Sequence, residues 1–274
     1  MKAIALILAA GKGTRMKSDL IKVLHPILGR SMVGWSIDIA RGAGLHPCIV
    51  VGYQEDRVRE ALATENVSFA RQSTPQGTGH AVLCALDELP TEGTLLVMFG
   101  DTPLFRSQTL SQLLSVHKEQ GNLATFLTAT VDDAGAYGRL IRDAEGRPLR
   151  IVEAAEASEA ELCVNEINTG ASVFDLAWLR GELPSFEPHL PKNEIYLTDA
   201  LERAARTGRA GVVLLSDLQE ANGVNDRWHL AKAEEVLQQR ILKQHSLNGV
   251  RFEDLSGTRV DASVRIEQDV TIGR

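Results

Sequence analysis

Over its first half the chain alternates short apolar runs with helix-period segments, and that rhythm restricts the fold more than any other feature. Ile4–Ala10 reads as a buried strand, and Ser31 is placed to cap a helix over Met32–Arg41 that Gly42 and Gly44 close. Cys48–Val51 reads as a strand, Asp56–Ala63 as a helix, Val67–Ala70 as a strand and Thr78–Leu89 as a helix. Thr94–Phe99 is an apolar strand ending at Gly100-Asp101, followed by a helix over Ser107–Gln120 and a strand over Leu123–Val131. Strands separated by helices pair mostly in parallel, with helices covering both faces of the sheet. The expected class is therefore α/β, a Rossmann-like mixed but mostly parallel sheet. Ligands of such sheets collect beyond the carboxyl ends of the strands, where Gly11–Arg15 and Gly100-Asp101 both fall.

Beyond about residue 135 the pattern changes. Short strands at Gly138–Arg142, Leu149–Glu153 and Val164–Phe174 predict a more antiparallel edge, and the glutamate-rich Glu153–Glu161 between them reads as a solvated loop or short helix. Helices are expected over Ile195–Arg206 and Asp226–His245, with a strand at Gly211–Leu215 between them. In the last residues Val260, Ile266 and Ile272 recur every six positions, as do Val264 and Val270. Six-residue aliphatic spacing is the mark of a parallel β-helix, although a period of six is also a multiple of the strand period of two. A stack of coils needs roughly three repeats, so this stretch reads as the truncated start of a longer array.

Composition narrows the function. The 274 residues carry 29 Lys+Arg against 36 Asp+Glu, a net charge of −7, with 44% apolar and 24% charged residues. That is ordinary globular usage, enough for one large domain or one with an appendage. The acidic balance argues against nucleic-acid or membrane-surface binding, which needs a basic face. Cys48, Cys84 and Cys163 form no C-x-x-C pair, so the expectation is three reduced thiols in a cytoplasmic protein. The N-terminal apolar stretch is short for a secretory signal and runs straight into Lys12, Arg15 and Lys17, as a strand entering a basic loop does. No apolar run approaches the ~20 residues that span a bilayer.

Three local signals carry chemistry. Leu8-Ala9-Ala10-Gly11-Lys12-Gly13-Thr14-Arg15-Met16 follows a strand directly, and its small residues let backbone N–H groups approach a phosphate or base closely. It matches neither a P-loop nor a dinucleotide fingerprint. Arg15 adds a permanently charged fork suited to phosphate oxygens, and Lys22 lies within reach of the same anion. Asp101, at the end of an apolar strand, is placed to hold a hard cation through oxygen. Gln72 with Gly77-Thr78-Gly79-His80 offers amide and backbone groups to a base edge; His80 heads the helix and reads as a capping or packing residue.

With Lys22-Val23-Leu24-His25 after it, the first of these segments resembles the sugar-nucleotide nucleotidyltransferase superfamily, and within it the bacterial UDP-N-acetylglucosamine pyrophosphorylases. Further matches run in order: Gln76–Ala81, Gly100-Asp101 with Pro103-Leu104, Tyr137-Gly138-Arg139, Ile151-Val152-Glu153, Glu166–Gly170, Tyr196–Asp199 and Gly223-Val224-Asn225. The resemblance implies a nucleotidyltransferase domain over 1–226, a linker helix over 227–248 and a left-handed parallel β-helix starting at 249–274. It implies catalysis by Arg15 and Lys22. Leu8, Ala9, Ala10, Gly11, Gln72, Gly77, Thr78, Phe99 and Gly100 would bind the nucleotide, and Gly138, Glu153 and Asn168 the sugar. Asp101 and Asn225 would ligate Mg²⁺. The implied reaction joins UTP and N-acetylglucosamine 1-phosphate, with no nucleic-acid or membrane partner; a monomer or weak dimer is expected. The alternatives are another sugar 1-phosphate or nucleotide on the same fold, or a non-catalytic UDP-sugar-binding module. Three positions depart from the family pattern: Ile21 replaces a proline, Phe99 a tyrosine, and Ala154-Ala155 a polar or basic pair.

Overall fold

A computed structural model describes residues 3–274. The first half forms β1 (Ala3–Leu8), a small hairpin of β2 (Pro26–Ile27) and β3 (Arg30–Ser31), α1 (Met32–Gly42), β4 (His46–Val51), α2 (Glu55–Ala61), β5 (Ser68–Arg71), α3 (Thr78–Ala85), β6 (Thr94–Phe99), α4 (Ser107–Glu119) and β7 (Ala124–Thr130). The second half forms β8 (Arg139–Arg142), β9 (Pro148–Val152), α5 (Glu159–Leu162), β10 (Glu166–Asp175), α6 (Leu176–Glu182), α7 (Asp199–Arg206), β11 (Ala210–Leu214), α8 (Arg227–Leu247), β12 (Arg251–Phe252) and β13 (Thr271–Ile272). Ser31 caps α1 as its position predicts, its side chain accepting from the Gly34 N–H.

The main sheet runs β11-β7-β10-β6-β1-β4-β5, and all but β10 point the same way. Two apolar layers bury its faces. Val33 and Ile37 of α1 with Leu110 and Leu113 of α4 cover one; Ala81 and Val82 of α3, Leu179 of α6 and Leu201 of α7 cover the other. Fully burying each such aliphatic side chain contributes roughly 1.5–3 kcal/mol. A third cluster seats Ala233 and Leu237 of α8 on Ile27, Met32 and Leu104.

The structure differs from the sequence expectation in three places. β10 lies inside the sheet, antiparallel between β6 and β7, while only β8 and β9 form the antiparallel fringe. A register shift between Asn168 and Ser172 lets β10 serve two neighbours: its first half reaches β8 at Arg139, and its second pairs with β6. Helix α7 starts at Asp199 rather than Ile195, because the preceding backbone is bonded elsewhere: Ile195 N–H donates to Gln76 O, and Leu197 N–H to Thr78 Oγ1. No β-helix forms among the described residues. The C-terminal stretch contributes one parallel pair, β12 with β13. Of the six-spaced residues, Val260 is buried, its N–H donating to Gln238 Oε1 on α8, whereas Val264 and Val270 are exposed. A single pair has no neighbouring coil on which to stack an aliphatic side.

All three cysteines are free: Cys48 buried, Cys84 half-buried, Cys163 exposed. Among the described residues no helix is long and apolar enough to cross a membrane.

Candidate active site

The carboxyl ends of β1, β4, β5 and β6 share one rim because the strands run in parallel register, with Leu8 level with Val50 and Phe99. Beyond that rim lies a cleft of about 650 Å³. It is lined by Leu8, Ala9, Ala10 and Gly11 from the loop after β1, by Gln72 after β5, and by Gly77 and Thr78 at the start of α3. Arg15, Lys22, Asp101 and Asn225 line the same cleft, as do Phe99, Gly138, Glu153 and Asn168. Gly100 is the one predicted residue that does not line it; it is buried, and its N–H donates to Leu8 O, tying the loop after β6 to the end of β1.

The charged rim is assembled by backbone as much as by side chains. Gly13 sits at φ +64°, and a Cβ there would run into the stem of Lys22. The loop therefore needs glycine both for its left-handed turn and for the approach of Lys22. Val224 N–H donates to Asp101 O at 2.9 Å, with the Val224 side chain buried beneath, which sets Asn225 beside Asp101. Asn225 Oδ1 then accepts from Arg15 Nη2 at 2.9 Å and from Lys22 Nζ at 3.4 Å. Lys22 also ion-pairs with Asp101, the lysine side chain 10% and the aspartate 27% exposed. An ammonium so sheltered needs an anion close by. A hard carboxylate oxygen and a hard amide oxygen thus converge on one cation.

The wall around Glu153 is acidic. Asn168 N–H donates to Gly138 O, and Asn168 Oδ1 accepts from Gly170 N–H; Gly170 in turn packs under the Phe99 ring. Glu153 Oε1 accepts from Thr198 Oγ1 at 3.2 Å. Burial lifts the Glu153 carboxyl above its ordinary value, with Glu156 and Asp199 adding to the rise and the Thr198 bond opposing it. Just outside, His189 bridges Glu156 and Asp199, 2.9 Å from each, its ring 4.5 Å from that of Tyr196. Burial pulls the His189 imidazole down, but its bonds to Asp199 and Glu156 raise it overall. Burial likewise pushes Tyr196 up, to about 12, with Glu156 and Glu194 contributing.

Glu194, Tyr196 and Thr198 line the cleft without having been singled out as site residues in the sequence. The only signal there is Tyr196–Asp199 itself, which carries no chemistry until Thr198 is seen against Glu153, distant in the chain. No Ser, Cys or His stands among the described lining residues.

Residues 5–173 match the family described as the MobA-like NTP transferase domain, which is more than half of the chain. The chain belongs to this family. It is 45% identical over 272 residues to the bifunctional protein GlmU of Pelobacter propionicus, a match covering 98% of this chain and 59% of that protein. It is 43% identical over 270 residues to the bifunctional protein GlmU of Caldanaerobacter subterraneus, with the same coverage of 98% and 59%. The chain thus spans about 59% of the length of the curated relatives it matches. The crystal structure of UDP-glucose pyrophosphorylase complexed with UDP-glucose superposes with a TM-score of 0.70 at 21% identity, covering 88% of this chain and all of that one. A putative glucose-1-phosphate thymidylyltransferase from Bacillus anthracis gives a TM-score of 0.69 at 18% identity, covering 85% and 94%. These two share the fold; the family and the GlmU homology bear out the resemblance to sugar nucleotidyltransferases.

Proposed function

We propose that this nucleotidyltransferase makes UDP-N-acetylglucosamine and pyrophosphate from UTP and N-acetylglucosamine 1-phosphate. The observation that carries the reading is the convergence of Arg15, Lys22, Asp101 and Asn225 in a cleft that Gly138, Glu153 and Asn168 also line. The first group suits a triphosphate, and the second offers hydrogen-bond acceptors to sugar hydroxyls. The homology to GlmU proteins supports the choice among sugar nucleotidyltransferases.

The reaction needs no protein nucleophile. The phosphate of the sugar 1-phosphate is largely dianionic at neutral pH. Its oxygen attacks the α-phosphorus of UTP, and the bond from that phosphorus to the bridging oxygen of pyrophosphate breaks in line. Charge repulsion and positioning set the barrier, so the protein contributes orientation and electrostatic stabilisation. Lys22 leaves Asp101 to meet the α-phosphate, and Arg15 leaves Asn225 to hold the outer phosphates. The backbone of Leu8–Gly11 with Gln72, Gly77 and Thr78 holds the uridine. Gly138, Glu153 and Asn168 hold the N-acetylglucosamine so that its phosphate faces that α-phosphorus.

Mg²⁺ is the cofactor this reading implies. Asp101 and Asn225 present oxygen donors of the kind a hard divalent ion takes, and both already face a cation. Among the described residues no group of three or more His, Cys, Asp or Glu could hold a metal. The two residues would therefore share the ion with phosphate and water oxygens. Bound there, it would offset the negative charge of the two substrates.

The test is pyrophosphate release across a panel of nucleoside triphosphates and sugar 1-phosphates with Mg²⁺. UTP with N-acetylglucosamine 1-phosphate is expected to turn over fastest. A faster pair would reassign the substrate, and binding of UDP-sugar without any pyrophosphate release would make the protein a binding module.

A further inference from the structure

Resting on the uridine site proposed above, we infer that His80 is a positioning residue: it sets which way the Gln72 carboxamide faces and so selects a pyrimidine that carries a hydrogen on ring nitrogen 3. Gln72 is buried at the end of β5, its own N–H donating to Val51 O at 2.8 Å. Its side-chain Nε2 lies 3.1 Å from Gly77 O and 3.0 Å from His80 Nδ1. A carbonyl oxygen can only accept, so the nitrogen end of the amide must face Gly77. The second amide hydrogen is then directed at His80 Nδ1, which accepts only when the ring proton is on Nε2. Cys84, one turn further along α3, lies with Sγ 3.6 Å from His80 Nε2 and 3.8 Å from Nδ1 and so does not fix the tautomer, which the Gln72 contact decides.

Both amide hydrogens are thereby used within the protein. Among the described residues none donates to Gln72 Oε1, while Gln72 lines the cleft. The site therefore offers a base an acceptor and no donor at this point. Uracil and thymine meet it with the N3 hydrogen; cytosine brings a lone pair at the same ring position and is repelled. Discrimination of this kind is strong because a mismatched buried polar group is left unpaired.

The lock has a second wall. Gly77 holds φ +96° at the head of α3, and a Cβ there would collide with the Ile195 carbonyl. Gly79 N–H donates to Ile195 O at 2.8 Å, and Ile195 N–H to Gln76 O at 2.8 Å. The segment before α7 thus holds the Gly77 turn, Gly77 holds one amide hydrogen, and His80 holds the other. A lysine at position 80 would donate and turn the amide around; a rotating hydroxyl would accept or donate indifferently.

The experiment measures UTP and CTP affinity by direct binding, together with UTP kinetics, for the wild type, His80→Ala and His80→Asn. Asparagine can present an oxygen near the place of Nδ1. His80→Ala is expected to lower the UTP:CTP affinity ratio on the order of tenfold, the worth of one such hydrogen bond, with the change falling on KM for UTP rather than on kcat. His80→Asn is expected to restore most of the ratio. An unchanged ratio in folded His80→Ala, or no recovery in folded His80→Asn, overturns the inference. The wild type supplies a test that needs no variant: ¹⁵N shifts of the neutral His80 ring should show Nδ1 unprotonated, and a protonated Nδ1 contradicts the account. Wild-type protein that prefers UTP in binding but releases no pyrophosphate removes the proposed reaction and leaves the His80 assignment standing. Wild-type protein with no preference for UTP over CTP removes the His80 assignment.

Discussion

Two groups of cleft residues, which under the proposed function form its phosphate end and its sugar end, are built on opposite plans. At the phosphate end two cations, one nearly buried, are held by Asp101 and Asn225, and the surrounding wall is glycine-rich backbone. At the sugar end carboxylates crowd together, with His189 as the ring between Glu156 and Asp199 and Thr198 donating to Glu153. Arg15 and Lys22 are each paired with a protein oxygen, which substrate phosphates would displace under the proposed function. Under the proposed function the second group receives a neutral polyol, to which carboxylate and amide oxygens offer acceptors. A cleft polarised in this way orients a molecule whose charge is concentrated at one end.

Substitutions can break that contrast, and the largest effects belong to the phosphate end. Lys22→Ala and Asp101→Ala should each lower kcat by about 10²–10³ or more in a folded protein, the usual scale for removing one preorganised electrostatic contact. Near wild-type turnover in folded Asp101→Ala would take it out of the reacting centre. Asn225→Ala should weaken the Mg²⁺ dependence; an unchanged Mg²⁺ titration would argue against its ligation.

At the sugar end the effect moves from kcat to KM. Glu153→Ala should raise KM for the sugar 1-phosphate roughly ten- to hundredfold, as expected for a hydrogen bond to a charged acceptor, with UTP affinity nearly untouched. Equal losses for both substrates would mean that the two ends are not separate.

A pH profile sharpens the comparison further. The folded His189 value lies above its ordinary 6.5, and Glu153 and Asp199 are also raised, by burial first. A group raised on folding stabilises fully below its unfolded value and loses that contribution as pH climbs through the folded one. The sugar end should therefore loosen as pH rises above 6.5 through the folded His189 value, seen as a rising KM for the sugar 1-phosphate. His189→Gln should remove that part of the profile while leaving KM for UTP in place. The smallest effect is expected at Lys12, which shares the glycine-rich loop but lies over the Tyr53 ring, outside the cleft lining. Lys12→Ala should leave both KM values within about twofold, the scale of an exposed cation–π contact.

The same division separates what could be seen in the sequence from what could not. The phosphate end was legible because β1 and β6 are unbroken apolar runs that stop at Gly and Asp residues, and parallel pairing puts such stops on one rim. The Ser31 cap was legible for the same local reason. The placement of β10 was not, since strand order depends on which neighbour offers the better face, and the shift after Asn168 carries no strong local signature. The sugar end was half legible. Glu153 and Asn168 came from the resemblance, but His189 and Thr198 acquire meaning only when the segment before α7 folds against β9 and α3. Periodicity alone does not bury the six-spaced aliphatics: Val260 is buried, its N–H bonded to Gln238 of α8, and Val264 and Val270 stay exposed.

The stereochemical course at phosphorus tests most directly the claim that the cleft brings two anions together without a protein nucleophile. With UTP carrying a chiral α-phosphorothioate and N-acetylglucosamine 1-phosphate as acceptor, a single in-line displacement predicts inversion in the UDP-sugar product. Retention would reveal a covalent nucleotidyl-protein intermediate and contradict the account, and so would the absence of any turnover with Mg²⁺ present.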